Sequence, residues 1–574
     1  MGLMDSRYLT YAAAGLAGAA LLHKLWRRLQ LSRAKHASIA GHARLSKRLA
    51  RLIPFYEFDQ RAFFRSDGAS EALAEQRKAG FDRLAQDYAE RFTSTKALKV
   101  ELHGGLSDLQ FTDAYRVPYQ YSRLVRERLG GGPILKSSSG VVLTDVDGNT
   151  FYDLAGSYGV NLLGYDFYKA CIARGAARVD ALGPVLGAYH PDIAYNIARL
   201  RKISGLDEVS FHMSGTEAVM QAVRLARYHT ARRKIVRFCG AYHGWWDDVQ
   251  PGIGNPVPAR DTFTLEDVSE AALRVLETRR DIACVLVNPV QAMHPNALPP
   301  ADTALVDNAR SAQFDRQTYA AWMQRLRAVC SARGVVFILD EVFSGFRLAP
   351  GGAQEYFGVR ADMVTYGKTL GGGLPVGVVC GSSGLMKRYR DDRPADICLA
   401  RGTFNAHPYV MGAMHEFLQA IETPEVGALY QDLDDTWNTR AAILNAQLAA
   451  EGLPLRVVNM STIWTVIYDR PSRYNWMFQY YLRREGLALS WIGTGRLIFS
   501  LNYTAADFEE VARRFLAAAR SMERDGWWAA GAEQRPIRRQ MLMEMLSRRF
   551  QWPSETKEYP AAEAEARTVP VRGN

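Results

Sequence analysis

Ala361-Asp-Met-Val-Thr-Tyr-Gly-Lys-Thr-Leu-Gly-Gly-Gly-Leu-Pro-Val-Gly377 decides how this 574-residue chain is read. DMVTYG is a short apolar, β-branched run, so Lys368 stands where a strand ends and a glycine-rich turn begins. Upstream, a second such run, VVFIL, ends in Asp340-Glu341. A carboxylate at the end of a buried strand is costly unless something pairs with it. A lysine can form a Schiff base with an aldehyde cofactor, and a carboxylate facing a pyridine nitrogen keeps that nitrogen protonated and the ring electron-poor. Lys368 and Asp340 together therefore read as a pyridoxal phosphate site. Taken singly, a lysine is usually a solvated charge, and Asp340 would cap a loop or pair with an arginine such as Arg347.

Three further segments fit that reading. His212-Met-Ser-Gly-Thr-Glu-Ala218 follows the strand-like EVSF and opens a helical run, which places Ser214, Gly215 and Thr216 at a helix N-terminus suited to phosphate. Alone, such a Ser-Gly-Thr is more often a simple cap. Phe238-Cys-Gly-Ala-Tyr-His-Gly-Trp-Trp246 offers Tyr242 and His243 beside a glycine, with an aromatic face able to stack on a pyridine ring; by default such aromatics belong to a core or an interface. Val342 is placed to cover the ring's opposite face. In Arg401-Gly-Thr-Phe-Asn-Ala-His-Pro408, Thr403 is another hydroxyl donor for phosphate, or a loop cap.

From about Val117 to Arg524, short runs such as KIVRFCG, ACVLVNP, VVFILDE and DMVTYG alternate with helical patterns. This predicts an α/β fold: a large, mostly parallel-sheet domain whose ligand sites lie at strand ends. The division expected is a core over 117–410, a smaller α+β domain over 411–525 and a basic, partly flexible tail over 526–574. Residues 31–116 read as a helical extension, most simply a clamp on the core or on a second subunit.

The net charge of +11 sits largely in the two ends, and no motif for RNA or DNA accompanies it, so no nucleic-acid partner is expected. Six scattered cysteines without metal-ligand spacing predict a reducing compartment and no structural metal. Tyr8 to Leu22 is uncharged and is followed by Lys24, Arg27 and Arg28, so residues 1–30 are a candidate membrane anchor. That run is shorter than the roughly 20 apolar residues of a standard span. Charges after the run keep the catalytic part on the cytoplasmic side.

These motifs, in this order, resemble the class III aminotransferases of pyridoxal phosphate fold type I, and most closely the branch containing glutamate-1-semialdehyde aminomutase. The likeness includes VVLTDVDGNTFYDLAGSYGVNLLGYD and spans roughly Val117 to Arg524. The resemblance implies a homodimer with active sites at its interface. Lys368 would carry the cofactor and shuttle the proton, Asp340 would face the pyridine nitrogen, and Tyr242 and Val342 would enclose the ring. Ser214, Gly215 and Thr216 would bind phosphate, Thr403 would reach it from the neighbouring subunit, Gln291 would lie near the phenolic oxygen and Tyr158 would line the substrate side.

Two departures bear on substrate. The family commonly reads Glu-Pro-Val-Gln where this chain has Asn288-Pro-Val-Gln291. The aminomutases carry an arginine after a proline near the start of the core, where this chain reads Gly132-Pro-Ile-Leu-Lys136. Lys136 lacks bidentate geometry. The expectation is an aminotransferase moving an amino group from a donor to a hydrophobic or carrier-bound carbonyl, such as a β-ketoacyl group on an acyl carrier. An intramolecular aminomutase is the alternative among enzymes, and an inactive membrane-tethered scaffold the alternative of another class.

Overall fold

The computed structural model describes residues 6–38, 41–132, 134–257, 260–290, 314–470, 472–489, 496–529 and 537–550. Three strands open the core: β1 (Leu135–Ser139), β2 (Val142–Asp145) and β3 (Thr150–Asp153). Seven more follow: β4 (Glu208–His212), β5 (Lys234–Phe238), β6 (Thr262–Leu265), β7 (Ile282–Val287), β8 (Val336–Asp340), β9 (Met363–Gly367) and β10 (Gly377–Gly381). β11 (Leu455–Met460), β12 (Ile463–Tyr468), β13 (Leu487–Ala488) and β14 (Arg496–Ile498) complete the set.

The seven central strands form one sheet in the order β4-β10-β9-β8-β7-β5-β6. Every residue of β7, β8, β9 and β10 is buried. Strands covered by helices on both faces have no solvent side, so their sequences are continuous apolar runs without alternation. Pairing is parallel from β6 through β5, β7 and β8 to β9, and β10 runs antiparallel to both β9 and β4. His212, Phe238, Asp340 and Gly367 therefore end on one edge of the sheet. The register sets Gly377 opposite both Gly367 and His212, so the turn carrying Lys368 returns along that edge.

The strands before and after this sheet meet each other. β1, β2 and β3 make a four-stranded sheet completed by β13, which lies parallel to β3. β11, β12 and β14 form a third, antiparallel sheet. The backbone of Ile498 in β14 donates to the Leu154 carbonyl at 2.9 Å, which ties that sheet to the loop after β3.

The extension is helical, as its periodicity predicts, and it clamps the C-terminal part of its own chain. The helix Glu71–Arg91 starts at Ser70, whose hydroxyl caps Leu73 N, and it buries Ala74, Arg77, Phe81, Leu84 and Tyr88 at helical spacing. Arg77 is fully buried: it donates to both Asp67 carboxylate oxygens at 2.8 and 2.7 Å and to the Gly526 carbonyl at 2.9 Å. Its guanidinium also lies 4.6 Å from the Tyr474 ring centroid. Beside it Trp527 and Trp528 are buried, so the stretch just after residue 525 is core and not tail. A helix, Ile537–Phe550, follows, docked through Glu544 on the buried Arg473 at 2.8 Å.

The helix Ser6–Arg33 contains the apolar run; Tyr11, Leu16, Leu21 and Leu22 are exposed, and Arg27 pairs with Asp281 at 3.7 Å. Among the described residues, no helix is long and apolar enough to cross a membrane.

Removing one partner of a buried ion pair strands the other, at a cost of about 3 to 5 kcal/mol. Arg77→Met should therefore lower stability by about 3 kcal/mol, read as a shift of the urea unfolding midpoint, whereas Lys78→Met on the exposed face should shift it by less than about 0.5 kcal/mol.

Candidate active site

Asp340 closes β8 with its side chain buried. His243 Nδ1 lies 2.7 Å from one carboxylate oxygen; the other accepts the Thr365 hydroxyl at 2.9 Å and the Val342 N–H at 3.2 Å. A carboxylate only accepts, so Nδ1 carries the proton of this imidazole. Burial lowers the His243 pKa against the opposing pull of Asp340, which favours the neutral ring, and its Nε2 is buried without a hydrogen-bond partner among the described residues. Arg347 does not pair with Asp340. It is fully buried, and its guanidinium donates to the carbonyls of Phe499 (2.6 Å), Asn161 (3.1 Å) and Gly159 (3.2 Å).

Lys368 follows β9 with φ of 51°, the left-handed region that a β-carbon disfavours. The glycines around it make that turn feasible: Gly372 and Gly373 also have positive φ. The ammonium lies 4.5 Å from the Phe343 ring centroid. Burial, Arg347 and Arg496 lower its pKa to about 8, against the opposing attraction of Asp340.

Three loops converge above this floor. Ser214 caps the helix Gly215–Thr230 by accepting Glu217 N–H, and the Glu217 carboxylate accepts Met213 N–H at 2.9 Å. A β-carbon on Gly215 would lie 2.7 Å from Val342 Cγ1, and one on Gly244 would lie 2.5 Å from the Thr216 hydroxyl. The loops after β4, β5 and β8 are thus in contact, and the helix N-terminus with its partial positive charge points between them. The Tyr242 ring is exposed, and its carbonyl accepts the Asn288 side-chain amide at 3.0 Å. A glutamate at 288 offers no such donor, which gives the departure from the family pattern a structural role.

The turn after β3 lies beside Lys368. The Asp153 carboxylate accepts the N–H groups of Ala155 and Gly156 at 2.9 and 3.1 Å and the Tyr165 hydroxyl at 2.6 Å. Ser157 and Tyr158 take positive φ, and a β-carbon on Gly159 would lie 2.7 Å from Phe343 and 3.5 Å from Lys368 Cδ. Gly159 thus lies against Lys368, and the neighbouring Tyr158 is half-exposed.

One functional group escaped the sequence reading. Arg496 of β14 sits beside the same loop, close enough to depress Lys368, with its Nη2 buried and, among the described residues, without a hydrogen-bond partner. A guanidinium thus stands beside Lys368 although residues 132–136 hold none, and Lys136 lies on the exposed edge strand β1. Thr403 is exposed on its loop, and Gln291 lies outside the described residues.

The family model "Aminotransferase class-III" matches residues 132–518. The chain belongs to the class III aminotransferases. Similar curated proteins are named glutamate-1-semialdehyde 2,1-aminomutase. That of Alkaliphilus oremlandii is 36% identical over 318 residues, covering 52% of this chain and 69% of that protein. That of Geotalea daltonii is 32% identical over 368 residues, covering 61% and 79%. Among solved structures, a glutamate-1-semialdehyde aminomutase from Pseudomonas aeruginosa superposes with a TM-score of 0.62 at 19% identity, covering 79% of this chain and all of that one. A transaminase with pyridoxal phosphate bound gives 0.60 at 24%, covering 75% and 98%. The fold is that of the fold type I pyridoxal phosphate transferases, and the family's cofactor is pyridoxal phosphate. The residues present fit it: a buried carboxylate, a lysine of lowered pKa and a capped helix N-terminus face one cleft.

Without cofactor, Lys368 binds fewer protons folded than unfolded between pH about 8 and its ordinary 10.5, so stability rises with pH across that window. Cofactor-free Lys368→Met should be more stable than wild type by about 2 to 3 kcal/mol at pH 7, and the difference should shrink as pH rises through that window. Denaturant unfolding at pH 7, 9 and 10.5 measures it.

Proposed function

We propose a transaminase in which Lys368 carries pyridoxal phosphate, Asp340 faces its pyridine nitrogen, Ser214, Gly215 and Thr216 hold its phosphate, and Tyr242 and Val342 enclose its ring. His243 orients Asp340 through their 2.7 Å hydrogen bond. Bound there, the cofactor supplies an electron sink for the carbon that exchanges the amine. Lys368, with its pKa lowered to about 8, takes and returns a proton at that carbon near neutral pH. Gln291 belongs to the same reading through the family pattern alone.

The observation that carries the substrate reading is the buried Nη2 of Arg496 beside Lys368, which lacks a hydrogen-bond partner among the described residues. A buried guanidinium nitrogen left unpaired is costly, and a carboxylate offers it a charge-assisted partner. Arg496 receives the carboxylate of an amino-acid donor, and the donor leaves as a keto acid. The acceptor is then a ketone or aldehyde of hydrophobic or carrier-bound kind, entering past the exposed Tyr158 and Tyr242. The names of the curated relatives favour a second reading, an aminomutase, which needs no separate donor. A second copy of the chain completes the site with Thr403, and the exposed apolar run of the helix Ser6–Arg33, followed by Lys24, Arg27 and Arg28, brings the protein to an anionic membrane surface.

Mixing the cofactor-loaded protein with single amino acids, acceptor absent, should convert the cofactor's visible absorbance stoichiometrically and release one keto acid per site; no conversion with any amino acid, but turnover of a semialdehyde alone, would favour the aminomutase. Arg496→Gln should raise KM for the donor by roughly tenfold or more with a smaller change in kcat. Sedimentation equilibrium should give twice the chain mass, and a monomer with full activity would remove Thr403 from the site.

A further inference from the structure

A second cleft, of about 300 Å³, opens in the helical extension, far along the chain from the loops that surround Lys368. It lies between the helices Thr93–His103, Ser107–Tyr115 and Ser122–Arg128 and is closed at its back by Tyr480. Its volume is at the lower end of small-molecule sites, which run from roughly 300 to 1,000 Å³.

Its walls divide by chemistry. Val117, Val125, Leu129 and Tyr480, all buried, make an apolar back. Lys99 and Arg116 stand inside, and Lys96 and Arg126 stand at the rim. The acidic groups facing them are Asp113, which pairs with Lys99 at 2.8 Å, Glu57, which pairs with Arg126 at 3.8 Å, and Glu127, exposed at the mouth; His103 and Tyr480 are the further titratable groups there.

The interior is short of negative charge. Lys99 is largely shielded from water, and its pKa is lowered by burial and by the neighbouring cations Arg116 and Arg483, despite Asp113. Arg483, buried behind the cleft, is itself lowered to about 10 by burial and by Arg116, against the opposing pull of Tyr88, Tyr480 and Asp145. Three cations thus crowd one another, faced by the paired carboxylate of Asp113 and, on the Arg483 side, by the buried Asp145. Arg116 is held in place by reciprocal hydrogen bonds with Gln479, whose side-chain oxygen accepts Arg116 Nε and whose amide donates to the Arg116 carbonyl at 3.2 Å. Lys99 lies against Gly132, where a β-carbon would come within 3.0 Å of its Cδ, so the glycine-rich turn before β1 gives that side chain its room. Like charges gathered out of water repel more strongly than at the surface, and an anion among them is correspondingly favoured.

We infer that this cleft binds an amphiphilic anion, an alkyl chain ending in a carboxylate or a phosphate monoester, with its head between Lys99 and Arg116 and its chain on Val117, Val125, Leu129 and Tyr480. Free phosphate lacks the chain, and an alcohol lacks the charge, so each engages half of the site.

Isothermal titration of the cofactor-loaded protein with octanoate, octyl phosphate, octanol and inorganic phosphate tests this. One of the two charged amphiphiles should bind at one per chain, and the tighter of them identifies the head group. Octanol and inorganic phosphate should each bind at least tenfold more weakly. Arg116→Gln, and the rim variant Lys96→Gln/Arg126→Gln, which leaves the buried residues intact, should each weaken binding at least tenfold, whereas Arg496→Gln should leave it unchanged. The inference is overturned if neither amphiphile binds saturably, if octanol binds as well as octanoate, or if binding is lost in Arg496→Gln and kept in the rim variant, which would place the ligand beside Lys368.

Discussion

A carboxylate buried at the end of β8 is the constraint around which the catalytic half of this protein is arranged. Removing the Asp340 charge from water is affordable only if each oxygen is paired, and the fold pairs both, through His243 from the loop after β5, Thr365 from β9 and the N–H of Val342. Those partners come from the loop after β5, from within β9 and from the residue two beyond Asp340, and the parallel order of the sheet is what brings them together. The edge of the sheet where β8 ends also carries Lys368, and the Asp340 carboxylate opposes the loss of that lysine's proton.

A second constraint couples that edge to the chain's two ends. Arg347 is a buried guanidinium whose hydrogen-bond partners are carbonyls and a hydroxyl, and those partners lie on the turn after β3 and on the segments that flank β12 and β14. It bolts the loop bearing Gly159 and Tyr158 to the sheet bearing Arg496. The helical extension repeats the device at larger scale, where Arg77 and Tyr88 reach the 526 and 480 carbonyls. Ordering these segments in this way fixes the turn after β3 beside Lys368, since neither β13 nor β14 is long enough to hold its place alone.

The central sheet was legible because its strands are buried on both faces and so read as unbroken apolar runs; Lys368, Asp340 and Ser214 were legible because each sits where such a run or its helix stops. Arg496 was not. It stands in a three-residue strand of a chain rich in arginine, and only the tertiary pairing of β14 with the turn after β3 brings it near Lys368. The pairing of Asn288 with the Tyr242 carbonyl was equally hidden, because it joins two loops 46 residues apart. Trp527 and Trp528 were assigned to a tail because their partners, Phe63, Phe64 and Tyr468, lie far upstream. Local pattern reports which residues end a strand; it does not report which distant backbone meets them.

The central claim is that the lysine following β9 is the covalent seat of the cofactor. Borohydride reduction of the cofactor-loaded protein, followed by proteolysis and mass spectrometry, tests it directly. The account predicts a single reduced pyridoxyl-phosphate adduct on the peptide containing Lys368, absent in Lys368→Ala. An adduct on another lysine of the wild-type protein, or none with cofactor in excess, would contradict it.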